Sequence, residues 1–369
     1  MKIFKKTLKQ LQETLLFFLT LIVLKKKKTL KPIAIVFRVS PWKRTYMQDF
    51  IPEYELVYVP KAIRRHTWYK LVASQWNHAF IIWGFETRED RRIEALADKY
   101  GVPIYRIEDG FVRSVGLGSK LTPPYSICLD KTGMYFDSTQ ESDLEKILNY
   151  YDFAADHLLM DRASSTMKLL LSKGISKYNH LSRKSTGDLY GPRKEKRILV
   201  IGQVEDDASI LKGSKIAYTN NDIVRIARDE NPEAEIFYKP HPDVLEGTRQ
   251  MQSNPEDVAQ ISKVLREPIA LVDSLEGIDQ VYTITSLSGF EALVRGIKVT
   301  TLGAPFYSGW GLTDDRQNTG RRKRNLTIEE LFAGAYMLYP RYRDPINKVE
   351  LTLEETIELI HRQKSFDVL

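Results

Sequence analysis

Four stretches of this 369-residue chain carry side chains suited to chemistry, and each follows an apolar run. In IEDGFVRSVGLG, residues 107–118, Glu108 and Asp109 stand side by side ahead of Gly110, with Arg113 four residues beyond Asp109. A glycine there permits φ > 0, so the chain can turn and present both acids at the end of a strand. Gly116 and Gly118 permit close backbone approach to a ligand. The alternative is a solvated turn with Arg113 as a surface partner. In GQVEDDAS, 202–209, Gln203, Glu205, Asp206, Asp207 and Ser209 form an acidic cluster past another apolar run. Such a cluster can hold Mg²⁺, cap the next helix, or supply a carboxylate that attacks or protonates a substrate. YKPHPDV, 238–244, brackets His241 between two prolines, with Lys239 two residues upstream. Both prolines fix the backbone, and the pair of cationic side chains suits a phosphate or a sugar carboxylate. TITSLSGFEALVRG, 283–296, places Thr285, Ser286, Ser288 and Gly289 at a strand-to-helix turn. Backbone N–H groups and hydroxyls at a helix N-terminus form an anion site, and Glu291 is placed to accept from ribose hydroxyls. The alternative is an ordinary serine N-cap followed by an acid that favours the helix dipole, together contributing about 1 kcal/mol. Beside the histidine motif, a nucleotide phosphate is the reading we carry forward.

The hydrophobic pattern supplies the elements that must position these residues. PIAIVF (32–37), YELVYVP (54–60), AFIIWGF (79–85) and VPIYRIED (102–109) read as strands. Between the last two, REDRRIEALADKYG reads as an amphipathic helix stopping at Gly101. SICLD and GMYFD read as a hairpin about KTG, followed by the helices SDLEKILNYY and AADHLLMDRASSTMKLLLSKG. The polar, basic stretch 176–197 reads as a linker. Beyond it ILVIGQV (198–204), EIFYKP, IALVDS, QVYTIT and KVTTLG read as strands, alternating with the helices NDIVRIARDE and GFEALVRG. TIEELFAGAYMLYP and TLEETIELIHRQ close the chain as helices. Alternation in both halves predicts two doubly wound α/β domains, and open sheets of this kind bind ligands at the carboxyl ends of their strands. All four motifs fall at such ends. The expected divisions are a basic segment 1–31, a first Rossmann-like domain 32–190, a second 191–330, and C-terminal helices 331–369.

A formal charge of +7 does not mark a nucleic-acid partner here. Residues 1–31 hold nine lysines and one glutamate, so the tail carries +8 and the remainder −1. With no reader motif in the body, no nucleic acid is expected as a partner. A single cysteine, Cys128, excludes an internal disulfide and a cysteine-based zinc cluster, and suits a reducing compartment. In the tail, Leu15 to Leu24 is apolar apart from Thr20, too short for a bilayer that needs about 20 residues. No small-residue cleavage site follows it. Phe4, Leu8, Leu11, Leu15, Phe18 and Ile22 recur at steps of three and four, one stripe of a helix, with Lys2, Lys5, Lys6 and Lys9 before the run and Lys25 to Lys28 after it. Such a helix would lie in the headgroup layer of an anionic leaflet, each lysine contributing roughly 1 kcal/mol. The alternative is a helix packed on its own protein.

Taken in order, EDGFVRSVGLGS, PPYSICLD, GMYFD, GQVEDDASI, KPHPDV, TSLSGFEALVRG, GAPFYSGWGLT and YPRYRDP resemble the motifs of the KpsC-like β-Kdo transferases of bacterial capsule synthesis. The resemblance implies a GT-B fold, two Rossmann-like domains facing a central cleft. It implies a retaining glycosyltransferase that moves β-Kdo, an acidic eight-carbon sugar, from CMP-Kdo to a lipid-linked capsule or lipopolysaccharide glycan. Glu108 and Asp109 would include the acid/base, with no choice made between them, and Asp207 would be the nucleophile. Double displacement needs two carboxylates flanking the anomeric carbon, roughly 5 Å apart in glycosidases. Gln203, Ser209, Lys239, His241, Ser286, Ser288, Gly289 and Glu291 would bind the donor. Lys239 and His241 would hold its phosphate or the Kdo carboxylate, and Ser286, Ser288 and Glu291 its phosphate and ribose. Arg113, Tyr307 and Trp310 would be substrate contacts, although a packed loop is the alternative for FYSGWG, 306–311.

CMP is a good leaving group, so neither a metal nor a cofactor beyond the CMP-Kdo donor is expected, while the Asp206–Asp207 and Asp314–Asp315 pairs leave metal binding open. Long family members carry two modules in tandem; this chain holds one, resembling the C-terminal module. Addition of a single Kdo therefore stands beside assembly of an alternating polymer. The implied partners are CMP-Kdo, a lipid-linked or oligosaccharide acceptor, the inner-membrane surface, and capsule or lipopolysaccharide assembly enzymes. The implied location is cytoplasmic, peripheral on the inner face of the cytoplasmic membrane. Two competing readings are a GT-B transferase using another nucleotide-activated donor, and a non-catalytic scaffold in a glycan-assembly complex. The presence of every motif acid, histidine and serine speaks against the scaffold.

Overall fold

Short Val-, Ile- and Phe-rich runs build two six-stranded sheets in the computed structural model, which describes residues 2–27, 31–60, 78–85, 87–116, 118, 121–177, 179 and 185–366. Lys28 of the tail, Leu117 and Ser119 of the glycine-rich motif, and 178 and 180–184 of the basic stretch lie outside the described residues, as do the side chains of Phe4, Leu8 and the tail lysines up to Lys27. The first sheet holds β1 (Ile33–Phe37), β2 (Glu55–Tyr58), β3 (His78–Trp83), β4 (Ile104–Asp109) and β5 (Ser126–Asp130). The second holds β6 (Arg197–Ile201), β7 (Glu235–Lys239), β8 (Lys263–Val264), β9 (Gln280–Thr283), β10 (Lys298–Thr301) and β11 (Asp314–Asp315). A late strand, β12 (Pro340–Tyr342), returns to the first sheet and pairs antiparallel with β5, Pro340 opposite Cys128.

The second sheet is parallel throughout, ordered β11-β10-β9-β6-β7-β8, so its winding reverses between β6 and β9. The first is ordered β12-β5-β4-β3-β1-β2, reverses between β1 and β3, and is parallel from β2 to β4. Each reversal opens a crevice at the carboxyl ends of the strands. Helices on both faces explain why β1 and β6 are buried at every position. Two Rossmann-like domains of this kind make the GT-B fold that the motifs imply.

Two runs take a form other than the one expected. GMYFD makes turns instead of a strand, because β5 already has a partner on each side, β4 and β12, and no edge remains for a hairpin. IALVDS forms the short helix Leu271–Leu275, and β8 takes the place beside β7. An apolar run of that length does not by itself distinguish a strand from a buried helical turn. Of the basic stretch, Thr186–Tyr190 is helical, with Tyr190 packed on Phe237 at 4.4 Å between ring centroids. The TIEELF run is helical over Ile328–Phe332, widens into a π-helical segment Ala333–Leu338, and hands over to β12.

Both domains share one apolar core, which runs from Phe111, Leu144 and Phe153 through Phe306, Trp310 and Phe332 to Phe237 and Val281. Polar contacts cross the same seam. Glu145 pairs with Arg321 at 2.6 Å and Arg322 at 3.3 Å, and the Ser138 N–H and hydroxyl donate to the Lys212 carbonyl at 3.1 and 2.9 Å. The N-terminal helix runs Lys2–Lys27. Phe17 and Phe18 pack it on the β1–β3 side of the first sheet, while Leu11, Leu15, Leu16, Leu19, Ile22 and Val23 stay 47–65% exposed. Phe18, expected on the exposed stripe, therefore faces the protein, and Leu19 joins Leu11, Leu15 and Ile22 outside. No helix among the described residues is long and apolar enough to cross a membrane.

Candidate active site

β4 ends on Glu108 and Asp109, which lie opposite Cys128 and Ile127 of β5. Glu108 Oε1 accepts the Asp109 N–H at 2.9 Å, and Oε2 lies 3.6 Å from where a side chain on Gly84 would begin. Burial, reinforced by the adjoining Asp109 carboxylate, holds Glu108 above the usual carboxylate range, with Lys43 and Lys177 partly offsetting this. A carboxyl shifted in that direction is better suited to accepting and returning a proton than an ordinary carboxylate. Asp109 differs: Oδ2 pairs with Arg113 Nε at 2.7 Å, while Oδ1 is buried without a hydrogen-bond partner among the described residues.

Arg113, read as a substrate contact, is fully buried; its Nη1 donates to Ser114 Oγ at 2.7 Å and its Nη2 to the Thr122 carbonyl at 3.0 Å. It holds Asp109 in place and is neither a ligand contact nor a surface partner. The nearby glycines also have another purpose than the one expected. Gly110 does not adopt positive φ; a Cβ there would meet Ser126 Oγ at 2.3 Å. On Gly116 it would meet Thr122 Oγ1 at 2.5 Å, and on Gly118 the Arg113 Nη2 at 2.7 Å. All three make room for protein.

Across the seam, Asp207 caps the helix Ala208–Gly213, and its Oδ1 accepts from the Ser209 N–H at 2.9 Å and hydroxyl at 2.8 Å. Ser209 thus steadies Asp207. The rest of the acidic cluster is tied down: Asp206 pairs with Arg249 at 2.8 Å, and Glu205 accepts from the Asn220 N–H at 2.6 Å and Ser253 Oγ at 2.5 Å. Gln203, expected at the donor, is a buried strut at the β6–β9 reversal. Its Oε1 accepts the Thr285 N–H at 2.8 Å, and its Nε2 donates to Thr285 Oγ1 at 3.1 Å. Asp314 and Asp315 bond Thr300, Thr301 and Thr313, and no group of three or more His, Cys, Asp or Glu residues among the described ones is arranged to hold a metal ion.

Lys239 ends β7, where burial lowers its pKa to about 8. His241 caps the turn that follows: its Nδ1 accepts the Asp243 N–H at 3.2 Å, which puts the proton of the neutral ring on Nε2. Burial lowers the His241 pKa, and Asp207 is among the charges acting on the ring. Ser286 caps the helix Leu287–Val294, its hydroxyl accepting the Ser288 N–H at 3.2 Å. Gly289 is there for packing, since a Cβ would meet the Tyr307 hydroxyl at 2.2 Å.

Tyr307 and Trp310, read as substrate contacts, are fully buried core residues, donating to the carbonyls of Ser286 and Phe306 at 2.5 and 2.8 Å. The packed-loop alternative holds. Glu291 is also inside: burial raises its pKa, Arg295 offsets this from 3.8 Å, and Oε1 accepts the Lys177 N–H at 3.2 Å. It fastens its helix to the segment after Gly174 and does not face a ribose.

The two halves meet at Tyr135, in the stretch that was expected to be a strand. Its ring packs 4.7 Å from Phe111 of the first domain and 6.0 Å from Phe306 of the second. Burial raises the pKa of its phenol, and Cys128, Glu108, Asp109 and Asp207 all push it further in that direction. Acids from both domains thus act on one group. Sequence reading missed Tyr135 and also Lys43, whose charge acts on Glu108. The signal for Lys43 was a cation in the loop after the first strand, in a Pro-Trp-Lys-Arg turn that looks like an ordinary helix start.

Residues 78–342 match the family model described as capsule polysaccharide biosynthesis protein. The chain is 48% identical over 316 residues to the lipopolysaccharide-processing protein LpsZ of Rhizobium meliloti, covering 85% of this chain and 70% of LpsZ. It is 38% identical over 329 residues to the capsule polysaccharide modification protein LipA of Neisseria meningitidis serogroup B, covering 88% of this chain but 45% of LipA. Among solved structures it is similar to two from Thermosulfurimonas dismutans KpsC. The β-Kdo 2,4 transferase superposes with a TM-score of 0.78 at 34% identity over 91% of this chain and 99% of that one. The β-Kdo 2,7 transferase gives 0.72 at 33% over 90% and 99%. On a match spanning both sheets and the seam between them, the chain belongs to the capsule polysaccharide biosynthesis protein family, in its KpsC-like form.

Proposed function

We propose that this protein is a retaining glycosyltransferase that moves β-Kdo from CMP-Kdo to a lipid-linked capsule or lipopolysaccharide glycan while attached to a membrane surface. The observation that carries the reading is the buried ring of Tyr135, packed between Phe111 of one domain and Phe306 of the other, on which the charges of Glu108 and Asp109 from the first domain and Asp207 from the second all act. Asp207 has one oxygen committed to Ser209 and attacks the anomeric carbon with the other as the CMP phosphate leaves. The acceptor hydroxyl then displaces Asp207, giving a second inversion and net retention. Glu108 takes the acceptor's proton: burial makes it a stronger base than an ordinary carboxylate, whereas Asp109 is held by Arg113. Lys239 and the Nε2–H of His241 hold the donor phosphate from the second domain. The names of the KpsC, LpsZ and LipA relatives support the sugar and the pathway class. The exposed leucine stripe of the N-terminal helix, among flanking lysines, supports attachment to an anionic leaflet.

Incubation with CMP-Kdo and a defined glycan acceptor, followed by NMR of the product, tests the reading. A β-linked product is expected, and an α-linked one contradicts the mechanism. Thermal stabilisation by CMP but not by UDP or GDP separates this donor from another nucleotide sugar.

A further inference from the structure

The winding reversal of the first sheet, between β1 and β3, is the one crevice that the motifs leave without a ligand. Lys43 stands there, in the turn Pro41–Lys43 that follows β1. Its Nζ lies 3.3 Å from the Trp83 ring centroid at the end of β3 and 5.6 Å from that of Trp42. Indole faces attract a cation without neutralising it; burial lowers the Lys43 pKa, and the charges of Asp109 and Glu108 act to keep it protonated. Lys43 forms no ion pair with a carboxylate among the described residues. Its platform is rigid: Arg38 donates to the carbonyls of Trp83 at 3.0 Å and Gly84 at 2.9 Å, and pairs with the buried Asp90 at 2.7 Å.

Two buried polar atoms border the same place. Tyr46 is 1% exposed, and its hydroxyl has no hydrogen-bond partner among the described residues. Its ring lies 5.8 Å from that of Trp42, and burial first and the charge of Asp109 second raise the pKa of its phenol. Asp109 Oδ1 is the other unpartnered atom. Native proteins rarely leave buried polar atoms unpaired, and such atoms around a fixed cation mark a site for a polar, anionic group.

We propose that Lys43 binds a substrate carboxylate beside the catalytic acids. The inference rests on the functional reading above, in which the transferred sugar carries a carboxylate on its reacting carbon. That carbon must approach Glu108, Asp109 and Asp207, and a cation on the first domain offsets the repulsion. Lys239 and His241 serve the phosphate from the second domain, so the sugar acid is gripped from both sides. A Kdo-terminated acceptor carries the same group, so the carboxylate has two sources.

Steady-state kinetics of Lys43→Met and Lys43→Arg separate them, with far-UV circular dichroism and Tm verifying the fold. Lys43→Gln replaces the Met variant should that one not fold. Lys43→Met is expected to raise KM by roughly 10- to 100-fold for the substrate whose carboxylate is bound, and Lys43→Arg to recover most of the loss. A rise confined to CMP-Kdo assigns the donor; a rise confined to the glycan assigns the acceptor. Calorimetric binding of CMP alone, which has no carboxylate, is expected to be unchanged in both variants. KM values within twofold of wild type in folded Lys43→Met, or a loss confined to kcat, overturn the proposal while leaving the transferase reading intact. A wild-type protein inactive with CMP-Kdo overturns that reading, and this proposal with it.

Discussion

Asp109 leans on Arg113 at 2.7 Å, whereas Glu108 faces Gly84 and the charge of Lys43, and in the proposed mechanism this asymmetry divides their labour. Glu108→Gln is expected to lower kcat by about 10²–10⁴-fold with little change in donor KM, and more severely than Asp109→Asn. The reverse ranking in transfer assays would reassign the base. Lys239 gives a pH dependence with a definite sign. With its pKa at about 8, it is cationic below that pH, so CMP affinity is greatest there and falls as pH rises beyond it, approaching tenfold per unit. Lys239→Arg is expected to flatten this decline in calorimetric titrations, because arginine stays charged. Folding responds in the opposite direction: between about pH 8 and the ordinary lysine value of 10.5, the unfolded chain binds more protons, so this group's contribution to stability improves as pH rises.

Elements decide which of these residues can act at all. The helix Leu287–Val294 approaches Tyr307 only because residue 289 lacks a Cβ, so Gly289→Ala is expected to cost about 1–3 kcal/mol in denaturant unfolding. The N-terminal helix presents Leu11, Leu15, Leu19 and Ile22 outward, and replacing Leu15 and Leu19 by serine is expected to release the protein from anionic vesicles in sedimentation. Retained binding would mean that the helix is not the anchor. Apolar runs made most strands legible, since β4, β6, β7 and β9 follow directly from stretches ending at motif residues. What escaped was tertiary in origin. GMYFD carries strand-forming residues but is shut out of a sheet whose edge is claimed by β12, from about 200 residues further on. Arg113, Gln203, Glu291, Tyr307 and Trp310 have the chemistry of ligand contacts, and only packing reveals that they brace the site from within. Lys43 escaped for the opposite reason, since its partners Trp83 and Glu108 are far along the chain.

On the scale of the whole molecule, the domains are fastened together along one seam. Glu145 reaches Arg321 and Arg322 from across the seam, and the shared core passes beneath them. Glu145→Ala leaves Arg322 buried without its carboxylate and is expected to cost about 3–5 kcal/mol, read as a lower midpoint of a single unfolding transition. Two separate transitions would mean that the domains are less united than the shared core implies. In the proposed mechanism this union serves the chemistry, since a carboxylate from each sheet has to reach one carbon. Mass spectrometry of Glu108→Gln protein incubated with CMP-Kdo is the most direct measurement, because slowed transfer lets the sugar accumulate on its nucleophile. A Kdo adduct on the peptide that contains Asp207, absent from Asp207→Asn protein, is the result predicted. An adduct on another residue, or none alongside an α-linked product, would contradict the account.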